Sequence, residues 1–212
     1  MMRISARRWA GMATAALVAA LLAVAIGPLS QAGAAASSAS FDLFPNAKFV
    51  PCMAAPGQTP KAHVRVVKGE PNDTLVLSTS GFKSGLRFDV FTVQRSNQQA
   101  NGTPVAGFPG FGLAWYQSDL QGNSSAVIKS ILVNQIFGFD PDVSLAPTNT
   151  FHLGFWFNNP ADAAPCGFTG TTPFNGDHTA GPLAFISRPG AVSTLGPLCL
   201  DPDASTPGRC NP

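Results

Sequence analysis

Three histidines follow the first forty residues, His63, His152 and His178, and the last stands beside an acid in TTPFNGDHTAGPLAF, residues 171–185. Asp177 and His178 supply an acid and a base, and with a second imidazole they would offer ligands to a transition metal. The plainer reading sets both on the lip of a loop between two strands, hydrogen-bonded to loop backbone. The spacing favours the plainer one: no H-x-H or H-x-x-x-H pair occurs, and His63 alternates with Arg65 in AHVRVV, so both are expected to face solvent. No metal, no cofactor and no catalytic residue is assigned.

In TFHLGFWFNN, Phe151, Leu153, Phe155 and Phe157 point one way and His152, Gly154, Trp156 and Asn158 the other. The first set reads as core. For the second, one reading is a partly covered outer face; the sharper one is that the missing side chain at Gly154 leaves a dent between His152 and Trp156, a ligand floor. His152, Trp156, Asp177 and His178 are therefore the candidate ligand-binding residues.

Other chemistries fare worse. FDPDVS (Asp140, Asp142), DPDAS (Asp201, Asp203) and FNGD (Asn175, Asp177) offer oxygen ligands for calcium, but without regular acidic spacing, and Asp-Pro-Asp is also turn chemistry. SGFK, residues 80–83, matches S-x-x-K only inside a Gly-bounded turn, with no Lys-Thr-Gly elsewhere and no G-x-S-x-G. Glu70 is the single Glu, so a glycosidase pair would need two Asp residues brought together by the fold. Asn72, Asn101 and Asn123 begin glycosylation-type triplets, and all three fall in expected turns.

The elements that must position these residues begin after a segment to be set aside. Arg3, Arg7 and Arg8, an apolar run over residues 10–26 and small residues at Ala32 and Ala34 make residues 1–36 a cleaved secretory signal helix. Three of the thirteen basic residues lie in it, leaving ten against eleven acids. Those ten are spread singly, which disfavours nucleic acid as a partner. No membrane span is expected in the mature protein, which is read as extracellular with an unknown extracellular or cell-envelope ligand; oligomeric state is not legible. Four cysteines, all after the signal, fit disulfides in an oxidising compartment, and of three connectivities Cys52–Cys166 with Cys199–Cys210 is favoured.

Runs rich in Val, Ile, Phe and Thr recur between Gly/Pro/Asn clusters, with no sustained 3.6-residue period. Strands are predicted at 47–52, 62–67, 74–80, 87–94, 112–118, 125–133, 151–158 and 183–187, with 112–118 and 125–133 paired as a hairpin around Gly122. The expected fold is all-β, a two-sheet antiparallel sandwich of immunoglobulin-like or jelly-roll type over residues 37–190. Residues 35–40 are read as a lead-in and 191–212 as a Gly/Pro-rich tail, both outside the core. Sixteen Phe against one Tyr place most rings between sheets, because Phe carries no polar handle, and this lowers the case for sugar stacking.

At GLAWYQSDLQGN, TFHLGFWFNNPADAAPCG and TPFNGDHTAGPLAF the chain resembles a group of uncharacterised secreted β-domain proteins of high-GC Gram-positive bacteria. The resemblance covers roughly residues 63–187 and implies a compartment and a domain, but no catalytic residue. The expectation is a secreted, non-catalytic β-sandwich that binds a ligand or serves the cell envelope. Two alternatives stand beside it: a secreted hydrolase or metal-dependent enzyme built from distant Asp and His residues, and a carbohydrate- or lipid-binding module using Trp156 and Tyr116.

Overall fold

Alternation of apolar and polar residues becomes, in the computed structural model, the inward and outward faces of an antiparallel sheet. Residues 38–67, 73–112, 114–130, 150–174, 177–189 and 196–199 are described. Their strands are β1 (Ser38–Pro45), β2 (Lys61–Val67), β3 (Asp73–Ser80), β4 (Arg87–Val93), β5 (Ala114–Gln121), β6 (Ser125–Ser130), β7 (Thr150–Phe157), β8 (Thr172–Phe174), β9 (Asp177–Ala180), β10 (Leu183–Ile186) and β11 (Leu198–Cys199). The described residues are mostly β, with only short helical turns beside the strands. One sheet runs β5-β4-β7-β10-β1-β2-β3-β6, with β11 also on β7, and β8 pairs β9 separately.

The sheet nearly closes on itself, because its two terminal strands, β5 and β6, are consecutive in the chain. They turn at Gly122 and Asn123 as the sequence predicts, but they do not pair as a hairpin: β5 pairs β4 and β6 pairs β3. Asn123 explains the divergence. Its φ of 63° is left-handed, and its side chain accepts from Phe82 N and donates to Phe82 O, both at 2.8 Å. The amide acts as a one-residue strand, fastening the turn to the β3–β4 connection.

Four further sequence readings need correction. Residues 47–52 are not a strand: Ala47–Phe49 form a 3-10 turn and Val50–Met53 a single turn of helix, α1. Asn46 accepts from Lys48 N, and Pro51 sits in the first helical turn, where its missing N–H costs nothing. Residues 38–40, read as part of a lead-in, belong to β1, which pairs β2 from Ser38↔Val67 to Leu43↔Ala62 and then β10 from Phe44↔Ile186 to Pro45↔Phe185. Backbone pairing needs no apolar side chain, so small residues hid the strand's start. The tail contributes β11, where Leu198 is buried opposite Phe151. It can come so close because a Cβ on Gly196 would lie 2.1 Å from the Phe151 carbonyl oxygen. Finally, Asp177 and His178 lie on β9, with Phe174 opposite Asp177 across Asn175-Gly176, and not on a loop.

The core is filled unevenly. Phe82, Phe88, Phe155, Phe157 and Phe185 are fully buried and pack edge-on, tilted or stacked with centroids 5.0–6.2 Å apart. Each such ring is worth roughly 1.5–3 kcal/mol of burial. Phe49 joins them from α1's side, meeting Phe157 and Phe168 at 6.1 Å. The Cys52–Cys166 disulfide, with Cα atoms 6.1 Å apart, ties α1 to the 3-10 helix Pro160–Cys166 at this ring-rich end.

The expected signal peptide, Asn72, Asp140, Asp142, Asn175, Asp201, Asp203 and Cys210 lie outside the described residues, as do the side chains of Asp177, His178 and Cys199. Among the described residues no helix is long and apolar enough to cross a membrane.

Candidate functional site

Away from the phenylalanines the inward face changes character. Val66 on β2, Leu75 on β3 and Ile128 on β6 stand opposite one another in register and form one inward row. Trp115 on β5, Thr92 on β4 and Leu153 on β7 form another. Apart from Trp115 at the outer end of the second row, both are aliphatic or polar where the other end has phenylalanine rings. Val66, Leu75 and Ile128 are only partly buried, whereas Val64 and Leu77, two residues further in, have no exposure.

Between the rows lies an apolar cleft lined by Val66, Leu75, Ile128, Thr92, Leu153 and Leu198, with Asp73 and Gln117 as polar neighbours. Its enclosed space is about 30 Å³, room for little more than a methyl-sized group, and the rest of it stands open to solvent. The enclosed part is narrow and suits the apolar end of a ligand better than a whole molecule. Gln117 reaches it through a β-bulge: Val90 pairs Ser118 and Phe91 pairs Tyr116, leaving Gln117 as the extra residue. Its Nε2 donates to Thr92 Oγ1 at 2.9 Å and to Trp115 O at 3.3 Å. The side chain is thereby oriented, and its carbonyl oxygen retains acceptor capacity. Trp115, 39% exposed, continues the Leu153–Thr92 row toward the surface.

The candidates named from sequence lie elsewhere. Trp156 is 1% exposed and belongs to a small second core on the outer face of β4, β7 and β10, with Phe91, Val93, Ala180, Leu183 and Ile186. Phe111, from the long loop after β4, packs its ring on Trp156 at 5.2 Å. The space over Gly154 is occupied by the Trp156 ring, since a Cβ there would lie 3.1 Å from it and 2.9 Å from the Phe185 carbonyl oxygen. That outer face is thus covered over His152, Gly154 and Trp156, while Asn158 at its end stays exposed.

His152 is buried beside it, and its Nδ1 lies 3.2 Å from Ser187 O and 3.0 Å from Ser187 Oγ. A carbonyl only accepts, so Nδ1 carries the proton and the ring is neutral. Burial pushes its pKa down from 6.5 to about 4, against a smaller upward pull from the Ser187 carbonyl. His63 is on the outer face of the other half of the sheet, bonded to Asp42, so the structure does not gather these two histidines. β9 approaches the second core through Ala180. Among the described residues no three His, Cys, Asp or Glu side chains converge to hold a metal.

The long loop is well tied. Gln99 N donates to Thr103 O and Val105 N to Asn97 O, at 2.8 and 2.9 Å. Arg188 Nε donates to Gln98 Oε1 at 2.7 Å while its guanidinium lies 3.7 Å from the centre of the Phe44 ring. The loop therefore serves as a lid on Trp156.

The cleft's aliphatic lining was legible as same-face pairs in VRVV, TLVLS and AVIKS, but their convergence was not. Gln117 was missed because a bulge leaves no mark in the residue pattern. Comparison with protein-family models, curated proteins and solved structures found no match to this chain.

Proposed function

We propose that this is a secreted, non-catalytic β-sandwich protein that holds the apolar end of an extracellular or cell-envelope ligand in the cleft between its two sheet halves. The cleft beside an oriented Gln117 is the observation that carries the reading: apolar walls with one or two fixed polar groups are what small-ligand sites present. The sandwich description is supported by β1, which changes partner between Leu43 and Phe44 and so bridges a β1-β2-β3-β6 half and a β5-β4-β7-β10-β1 half. The resemblance to secreted proteins of high-GC Gram-positive bacteria and the basic-then-apolar N-terminus support export.

A sugar-stacking module is less well supported. Trp156 is buried, and Trp115 and Tyr116, opposite Thr92 and Phe91, point to opposite faces of β5 and form no common platform. The test uses octanoate and 1-octanol as probes, read by the emission of Trp115, which stands in register with Thr92 of the cleft lining. Saturable binding is expected at high micromolar to millimolar concentration. Leu75→Phe, which fills the cleft, is expected to abolish it while raising or preserving the melting temperature. Absence of saturable binding, or equal binding by a folded Leu75→Phe variant, would overturn the assignment.

A further inference from the structure

The outer face of β1, β2, β3 and β6 carries a row that the binding reading does not use. Asp42, His63, Ser78 and Ser125 stand directly opposite one another across these four strands. All four are exposed, as the pattern requires, since their neighbours Leu43, Ala62, Val64, Leu77 and Ala126 fill the inner face. Asp42 Oδ1 lies 2.7 Å from His63 Nδ1, and Ser78 Oγ lies 3.0 Å from Ser125 Oγ. A carboxylate only accepts, so Nδ1 donates to Asp42, and in the neutral tautomer that this selects, Nε2 carries the lone pair. Acid, imidazole and hydroxyl thus follow in the order that orients a base and activates a nucleophile.

We propose that Ser78 is an acyl-accepting serine, with His63 as its general base and Asp42 as the residue that fixes the imidazole tautomer. Facing Cβ atoms of paired antiparallel strands are about 4.5–5.5 Å apart, which sets the His63 side chain beside Ser78 on one face; in the proposed step Nε2 meets the Ser78 hydroxyl directly or through one water after Ser78 turns from Ser125. Ser78 Oγ attacks the ester carbonyl carbon and passes its proton to Nε2. The carbon–oxygen bond to the leaving group breaks, the departing aryloxide takes the bonding pair, and His63 then releases the proton to it or to solvent. The products are Ser78 acyl ester and free phenol.

The backbone amides of β2, which lies between β1 and β3, are committed to the sheet ladders and make no dedicated oxyanion hole. Lys61 and Arg65, two residues to either side of His63 on the same face, offer only diffuse positive charge. That restricts the substrate class to activated esters with good leaving groups and makes the reaction stoichiometric. Val76 and Val127, paired in the next row and with Val127 58% exposed, give an aryl or short acyl group an apolar contact beside the serines.

The experiment treats the full chain with p-nitrophenyl acetate at neutral pH and follows phenolate release together with peptide mass mapping. One acetyl group is expected on Ser78, none there in Ser78→Ala, and retention of the adduct in Ser125→Ala. His63→Gln should slow acylation of Ser78 by about 10²-fold or more, the scale of general-base assistance, and Asp42→Asn should slow it by a similar factor. All four positions are exposed, and thermal melts of each variant confirm folding. Acetylation confined to lysines, or an unchanged rate at Ser78 in folded His63→Gln, would overturn the proposal. Neither result bears on ligand binding in the cleft, which opens on the opposite face of the sheet.

Discussion

His152 shows how a residue that looks reactive in sequence becomes structural once buried. Its ring is neutral, donates to Ser187, and lies beneath Gly196, where an added Cβ would come within 3.1 Å of its Cδ2. The folded pKa of about 4 lies below the ordinary 6.5. Between those values the unfolded chain holds a proton that the folded chain does not, so stability is full above pH 6.5 and falls as pH drops toward 4. The loss attributable to this residue is on the order of 3 kcal/mol. Urea midpoints measured from pH 7 to pH 4 should fall steeply in the wild type and less steeply in His152→Gln; parallel curves would show that the buried imidazole is not responsible. The same residue explains a limit of sequence reading. Alternation put His152 on the face opposite the core, correctly, but the second core that covers that face comes from Phe111, Ala180 and Leu183, far away in the chain.

Among the elements, the β5–β6 turn decides the topology. β5 gives one edge to β4 and β6 gives one edge to β3, and Asn123 turns the chain from one terminal strand of the sheet to the other. Two hydrogen bonds to Phe82 and a left-handed φ make separable contributions. Asn123→Gly retains the backbone freedom and loses the bonds, and should cost about 1–2 kcal/mol. Asn123→Ala loses both and should cost about 2–4 kcal/mol. Equal midpoints for the two variants in chemical denaturation would show that the backbone conformation contributes nothing. Gly122 and Asn123 were legible as a turn because their chemistry is local. Which strands the turn separates was not, since pairing with β3 or β4 is settled by the opposite face of the sheet.

For the molecule as a whole, the ring-rich end is also the cross-linked end. Cys52 and Cys166 are 114 residues apart, and closing a loop of that size restricts the unfolded chain strongly. The chain-entropy model gives about 4.7 kcal/mol for a loop near 100 residues, and measured losses on removing a native disulfide fall at about 2–5 kcal/mol. The Cys52→Ala/Cys166→Ala double variant should therefore lose about 3–5 kcal/mol in denaturant titrations. A loss below about 1 kcal/mol would mean that the phenylalanine cluster holds the two helical turns without the bond. The cleft lies at the other end, where ring contacts are replaced by Val66, Leu75 and Ile128, so binding there is expected to persist in the double variant at temperatures where it remains folded.

By itself the sequence determined the β class and the alternating inward set on β7, and it favoured the Cys52–Cys166 pairing among three connectivities. Period-2 patterning and cysteine chemistry are written in residue type and spacing. Tertiary structure decided that β1 joins both halves of the sheet, that Gln117 is turned into a cleft by a bulge, and that Trp156 is covered while Trp115 is not. It also aligned Asp42, His63, Ser78 and Ser125, four residues of three ordinary types up to 83 positions apart. Register is a property of paired strands: each strand shows which residues share a face, and only the hydrogen-bonded neighbour fixes which of them stand side by side.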